Sequence, residues 1–290
     1  MTIASPLKGE VDSRLERERE EGAASSVATA ARSVLLTADA REKAAEARRQ
    51  AAAWRKGALS HAFDTAMPDH PARPAKPALL PPNKMPKRRG GSEKGRFALL
   101  HALAHIELNA IDLAWDMVGR IGAGQPRQFV DDWVSVADDE ARHFVMLADR
   151  LEQLGGTYGD LPAHNGLWDA AMATAHDLPA RLAVVPQVLE ARGLDVTPAT
   201  AARFADSGDV ESATILDQIY RDEINHVRTG NFWFRRACES NDSSPAEAFQ
   251  SLVRTYFRGD LRPPFNDLAR AEAGIPAAWY HGLSAAVSAA

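Results

Sequence analysis

At 290 residues, with 45% hydrophobic and 25% charged composition, the chain can bury one substantial core and still carry extensions. A formal net charge of -5 excludes a charge-driven attraction of the whole chain to nucleic acid or to an anionic membrane. Cys238 is the only cysteine, which excludes an internal disulfide, a thiolate zinc site and a self-contained rubredoxin-type or iron–sulfur centre.

Residues 1–21 are polar and charged and read as a mobile tail without an apolar signal core, and no later stretch is an uninterrupted apolar run of membrane-spanning length. The expectation is a cytoplasmic protein with no membrane partner. Two Ala-rich helices are predicted over 25–36 and 38–56, the second capped by Thr37 and stopped at Gly57. Residues 67–91 are Pro-rich and then basic, which favours an extended strap.

Ser92 then caps a long helical pattern that ends at Gly122-Ala123-Gly124. A second long helix is predicted over 126–154, followed by a crossover at 156–177 that holds a short helical piece over 166–175. Asp177 caps a third helix over 179–194, with a shorter one over 198–205. The last long helix follows Asp206-Ser207-Gly208 and runs to Glu239, and a C-terminal helix is predicted over 244–258 with irregular chain beyond. No segment alternates as a strand does, so the expected class is all-α. The organisation read from this is an N-terminal section (1–91), a four-helix bundle (92–240) and a C-terminal helical extension (241–290).

The chemistry is carried by two Glu-x-x-His motifs, Glu140-Ala-Arg-His143 and Glu223-Ile-Asn-His226. On a helix, positions i and i+3 share a face, so each motif can offer an oxygen and a nitrogen to one point. Glu107 precedes Glu140 by 33 residues, and Glu190 precedes Glu223 by the same 33. Each pair is centred on a predicted turn, so folding back at that turn brings both members to the same height, roughly 24 Å from it at 1.5 Å per residue. One Glu from each of two helices and Glu-x-x-His from each of the other two is the ligand set of ferritin-like di-metal bundles.

The Asp139-Glu140 and Asp222-Glu223 pairings make the motif Asp-Glu-x-x-His, which resembles that of bacterial multicomponent monooxygenase hydroxylases and related oxygen-activating di-iron proteins. From Arg96 to Glu239 the chain also resembles an uncharacterised bacterial family of ferritin-like proteins, through HALAHIELNAIDLAWD, ADDEARHF and YRDEINH. The resemblance implies a fold and metal ligands, and no substrate. Physically, four core carboxylates repel one another unless neutralised, and two divalent cations supply four positive charges. Mixed carboxylate and imidazole donors suit two iron ions, with manganese or a mixed iron/manganese pair as the alternative. Asp139 and Asp222 are placed to hold the imidazoles, each either on its own helix or across the bundle.

Other residues have plainer readings. His101 and His105 lie off the Glu107 face and read as packing residues. Tyr220 shares the Glu223 face, as a core tyrosine or as a phenol at the site. Pro186, one turn before Glu190, either distorts the helix to aim that carboxylate, with Gly193 helping to open a pocket, or marks a helix boundary. The basic run Lys84, Lys87, Arg88, Arg89, Lys94 and Arg96 is a solvated linker in one reading and an RNA contact in another. The functional expectation is a di-iron oxidoreductase that uses dioxygen or peroxide to oxidise a small-molecule substrate, with an external electron donor. RNA as substrate, a ferroxidase or iron-handling role, and an interaction protein with a relict site are the competing expectations.

Overall fold

Polar caps set where the helices begin. In the computed structural model, which describes residues 25–86, 92–257 and 260–284, Ser26 caps α1 (Val27–Leu36) by accepting from the Thr29 N–H. Helix α2 (Ala40–Arg55) is capped by Asp39 accepting from the Glu42 N–H, not by Thr37, whose hydroxyl instead donates back to Ser33 O within α1. Ser92 and Asp209 cap α3 (Glu93–Asp116) and α8 (Val210–Ser240) in the same way. Helix α4 (Arg127–Gln153) starts after Pro126, and α5 (Gly166–Ala173) lies in the crossover. The tail at 1–21 and the basic residues Lys87, Arg88 and Arg89 fall outside the described residues.

The described residues are helical apart from loops and three isolated β-bridges. Helix α3 packs along α4, and the third helical stretch packs along α8. Contacts between α4 and α8 join these two pairs, while α1 and α2 lie against α3 and α4. The apolar core runs through all of these elements, with Trp54, Trp115, Trp133 and Phe144 almost fully enclosed. Helix α3 with its following turn is apolar and long enough to cross a membrane by composition alone, but 72% of that window is buried inside the protein, as in a core helix.

The third stretch departs from the predicted pair of helices. It is continuous: α6 (Leu178–Val184), a π-helical turn (Val185–Glu190) and α7 (Ala191–Asp206) follow without a break. Two prolines sit inside it, and each deprives the carbonyl four residues earlier of its usual donor. Opposite Pro186, Gln187 Nε2 donates to Leu182 O at 3.2 Å; opposite Pro198, Asn266 Nδ2 donates to Leu194 O at 3.2 Å. Side chains thus replace the missing backbone bonds, so neither proline ends the helix. Room for the π turn comes from α8: a Cβ on Gly230 would stand 2.4 Å from the Pro186 ring. A second π turn, Met117–Ile121, extends α3 where the sequence suggested ordinary helix.

Beyond α9 (Pro245–Tyr256), the chain expected to be irregular forms α10 (Asp267–Glu272) and α11 (Ala277–Tyr280). Asn266 caps α10 and also donates to the Tyr220 hydroxyl at 3.2 Å, while Arg270 grips Asp195 on α7 through two 2.7 Å contacts. The C-terminal extension is therefore clamped to the defect at Pro198.

The N-terminal helices are docked by charge as well as by alanine packing. Lys43 on α2 is fully buried against Asp112 on α3, and Asp112 also meets Arg73 of the strap at 2.8 Å. Burial pushes the Lys43 ammonium below its ordinary range, so the Asp112 carboxylate is what keeps it charged. Removing one partner of such a pair strands the other: Asp112→Ala is expected to cost about 3–5 kcal/mol, read as a lower urea midpoint. A change below about 1 kcal/mol would show that the pair is water-accessible and not part of the docking.

Candidate metal centre

Four helical elements bring the six sequence-predicted ligands inward. Glu107 comes from α3, Glu140 and His143 from α4, Glu190 from the end of the π turn, and Glu223 and His226 from α8. Glu140 and His143 lie on the same face as Val136, Ala137, Phe144 and Leu147, all buried, so the apolar stripe that forms the core also turns the motif inward. The equivalent stripe on α8 includes Leu216, Ile219 and Val227.

Donor atoms of Glu107, Glu140, His143 and Glu223 all fall within 4.8 Å of one another, and all four residues are buried. His143 Nδ1 is 3.4 Å from Glu107 Oε2, 3.5 Å from Glu140 Oε2 and 4.0 Å from Glu223 Oε1. His226 Nδ1 is 3.0 Å from Glu140 Oε1 and 3.4 Å from Glu223 Oε1. Glu140 therefore stands between two imidazoles, one to each oxygen. Glu190 joins Glu107, Glu140 and Glu223 in the wall of a cavity of about 150 Å³. As a residue it is half-buried, with Oε2 enclosed.

The far side of each imidazole is held across the interior. His143 Nε2 lies 3.0 Å from Asp222 Oδ2 on α8, and His226 Nε2 lies 3.4 Å from Asp139 Oδ2 on α4. Of the two arrangements open from sequence, the crossed one is found. Arg142 ties the pair together, with Nη2 2.6 Å from Asp139 and 3.0 Å from Asp222, and Gln218 adds a 2.9 Å bond to Asp222. A carboxylate on Nε2 fixes a proton there and aims Nδ1 at the glutamates, where its lone pair would be free for a metal once the Nδ1 proton leaves. Arg142 and Gln218 escaped the sequence reading; their spacing from Asp139 and Asp222 (i+3 and i−4) was the available signal.

Burial raises the Glu107 carboxyl well above its ordinary range, with Glu140 adding to the effect, and burial likewise raises Glu190 and Glu223. Burial acts the same way on Glu140, but His226 and His143 outweigh it and hold this carboxylate ionised. Both histidines are pushed up despite burial, His143 by Asp222 and Glu107, His226 by Glu140 and Glu223. Even so, both Glu140 oxygens, both Nδ1 atoms and Glu190 Oε2 lack a hydrogen bond of acceptable geometry. Buried polar atoms left unsatisfied are costly, and coordination to a cation would satisfy those that converge, Glu140 and His143 with Glu107 and Glu223 beside them. The donor set, oxygen-rich with two imidazoles, fits a metal ion.

Several residues lie elsewhere. His105 bonds Tyr158 Oη and His164 O, and His101 Nε2 accepts from the Gly159 N–H, so both fasten the crossover to α3. Burial lowers His105 to about 4, so this contact uses the neutral ring. Tyr220 is tied to Asn266, as a packing tyrosine would be.

Together these features define an all-helical protein with a buried carboxylate and imidazole cluster able to hold a metal ion. The chain belongs to the family described as "Protein of unknown function (DUF455)", whose model matches residues 36–281. An uncharacterized protein of Haemophilus influenzae is 43% identical over 210 residues, which covers 70% of this chain and 73% of the relative. No solved structure matches the chain.

Two measurements follow from the site's geometry. Protons occupy groups that a divalent cation would displace, so metal uptake is expected to release protons and to tighten as pH rises. Titration of manganese(II) in weakly buffered solution reads this directly, and uptake without proton release would contradict the charge assignment. Asp222→Asn is expected to weaken metal affinity about 10–100-fold while the fold is retained, because His143 loses the carboxylate that orients it. Unchanged affinity would mean that His143 is not a ligand.

Proposed function

We propose that the chain is a ferritin-like oxidoreductase in which Glu107, Glu140, His143, Glu190, Glu223 and His226 hold two iron ions that activate dioxygen or peroxide to oxidise a small molecule. What carries this reading is the position of Glu140, with one imidazole at each carboxylate oxygen and a further glutamate beside each. That near-symmetry would suit a pair of cations, one on each imidazole's side of Glu140, and the folding of α3 on α4 and of α7 on α8 about a long crossover suits a ferritin-like bundle.

Iron in such a site supplies one-electron chemistry toward dioxygen or peroxide. The chain's own contribution is electrostatic and steric. Four glutamates offset the cationic charge, and Asp139 and Asp222 fix the imidazole tautomers from behind. Leu103, Ala110 and Ile219 line the cavity beside the carboxylates, which keeps that side apolar and admits small, weakly polar molecules. With Cys238 buried and no other cysteine, the chain carries no thiolate redox centre of its own, so electrons enter from an external donor.

The test is anaerobic loading with ferrous iron, metal analysis, and stopped-flow mixing with dioxygen or hydrogen peroxide. The reading predicts about two irons per chain, a fast oxidation with either oxidant, and loss of both in Glu140→Ala. Uptake of many irons per chain would point to iron storage, and fewer than one after loading would leave no basis for the mechanism.

A further inference from the structure

The cavity at the carboxylates has a neighbour across the turn that carries Glu190. A second pocket of about 360 Å³ adjoins it, and Leu189 and Arg192 line both. These two residues flank Glu190, so the partition between the pockets is the distorted turn that carries that glutamate. The inner cavity is apolar above its carboxylates. The outer pocket differs: Arg192, Arg262 and Arg270 face Asp195 and Asp260, three positive charges against two negative, beside Phe257 and Phe265.

Arg270 supplies the most telling detail. It is 2% exposed and spends Nε and Nη2 on Asp195 at 2.7 Å each, yet Nη1 has no hydrogen-bond partner. The guanidinium also lies over the Phe265 and Tyr280 rings, and a buried N–H without an acceptor is unfavourable in itself, which leaves Arg270 positive charge and donor capacity at the pocket wall. Arg192 braces the outer wall by donating to Arg262 O at 2.6 Å and to Pro264 O at 3.0 Å.

We propose that the two pockets open into one another past Leu189 and together bind a small anionic amphiphile, its charged head at Arg262 and Arg270 and its short apolar tail reaching toward Glu107 and Glu223. The inner volume is below the about 300–1,000 Å³ of a drug-sized site, which restricts the tail to a short hydrocarbon or a single ring. That the tail meets a reactive centre rests on the metal-dependent oxidation proposed above; the binding itself rests on the pockets alone.

Octanoate is the probe, titrated calorimetrically into the full chain both metal-free and loaded with cobalt(II). Saturable binding is expected in both forms, with a change in the cobalt absorption spectrum in the loaded one. Arg262→Gln, at an exposed position, is expected to weaken binding about tenfold or more while metal content is unchanged. Gly193→Leu is expected to weaken octanoate but spare butyrate, because a Cβ at Gly193 meets nothing within 4 Å and the added side chain grows into the tail's space. Octanol and octyltrimethylammonium should bind far more weakly. Equal binding of octanol and octanoate, or full affinity in Arg262→Gln, would overturn the assignment. Failure of the metal reading looks different: cobalt fails to load while octanoate still binds, which supports the pocket and removes the centre.

Discussion

Like charges crowded in a low-dielectric interior are the constraint around which this fold is arranged. Glu107, Glu140, Glu190 and Glu223 converge on one largely enclosed cavity, and each is shifted by burial and by its neighbours. Two imidazoles offset part of this repulsion, and their outer nitrogens are held by Asp222 and Asp139, which Arg142 in turn offsets. The alternation of negative and positive groups runs from the cluster to the half-exposed Arg142. Such an arrangement destabilises a chain that has no use for it, because an apolar core of equal volume is as stable or more so.

The third helical stretch beside the site carries defects that side chains repair. Pro186 and Pro198 each break one backbone bond of the third stretch, and Gln187 and Asn266 replace what is lost. The π turn at Pro186 sets where Glu190 sits and separates two pockets; the repair at Pro198 anchors the C-terminal extension, which walls the outer one. One proline thus shapes the site and the other its approach. Gly230, by admitting the Pro186 ring against α8, belongs to the same device.

Much of this was legible in the sequence, and what was not has physical causes. The 33-residue spacing placed Glu107 beside Glu140 and put Glu190 and Glu223 on one cavity wall, because the turns at 122–126 and 207–209 lie at or next to the midpoints and the π turn at Met117–Ile121 alters the rise only locally. Capping chemistry gave Ser92 and Asp177 correctly. It failed at Thr37, since Asp39 lies nearer the helix start and Thr37 bonds backward instead. Reading Pro198 as the start of a separate helix failed because its compensation, Asn266, lies 68 residues away, a distance that no local rule spans. The helices at 267–272 and 277–280 were missed for a related reason: short segments of this kind are held by tertiary contacts such as Arg270 with Asp195, not by propensity. Which carboxylate backs which imidazole depended on the relative rotation of α4 and α8, a packing property that the motif does not encode.

The central proposal is that these six side chains would hold two metal ions, with Glu140 between the two imidazoles. Anomalous diffraction at the iron edge, from crystals loaded anaerobically with ferrous iron, tests it most directly. The account predicts two peaks on either side of Glu140, one near His143 and one near His226. A single peak, peaks remote from Glu140, or none in a crystal with the cluster intact would contradict it.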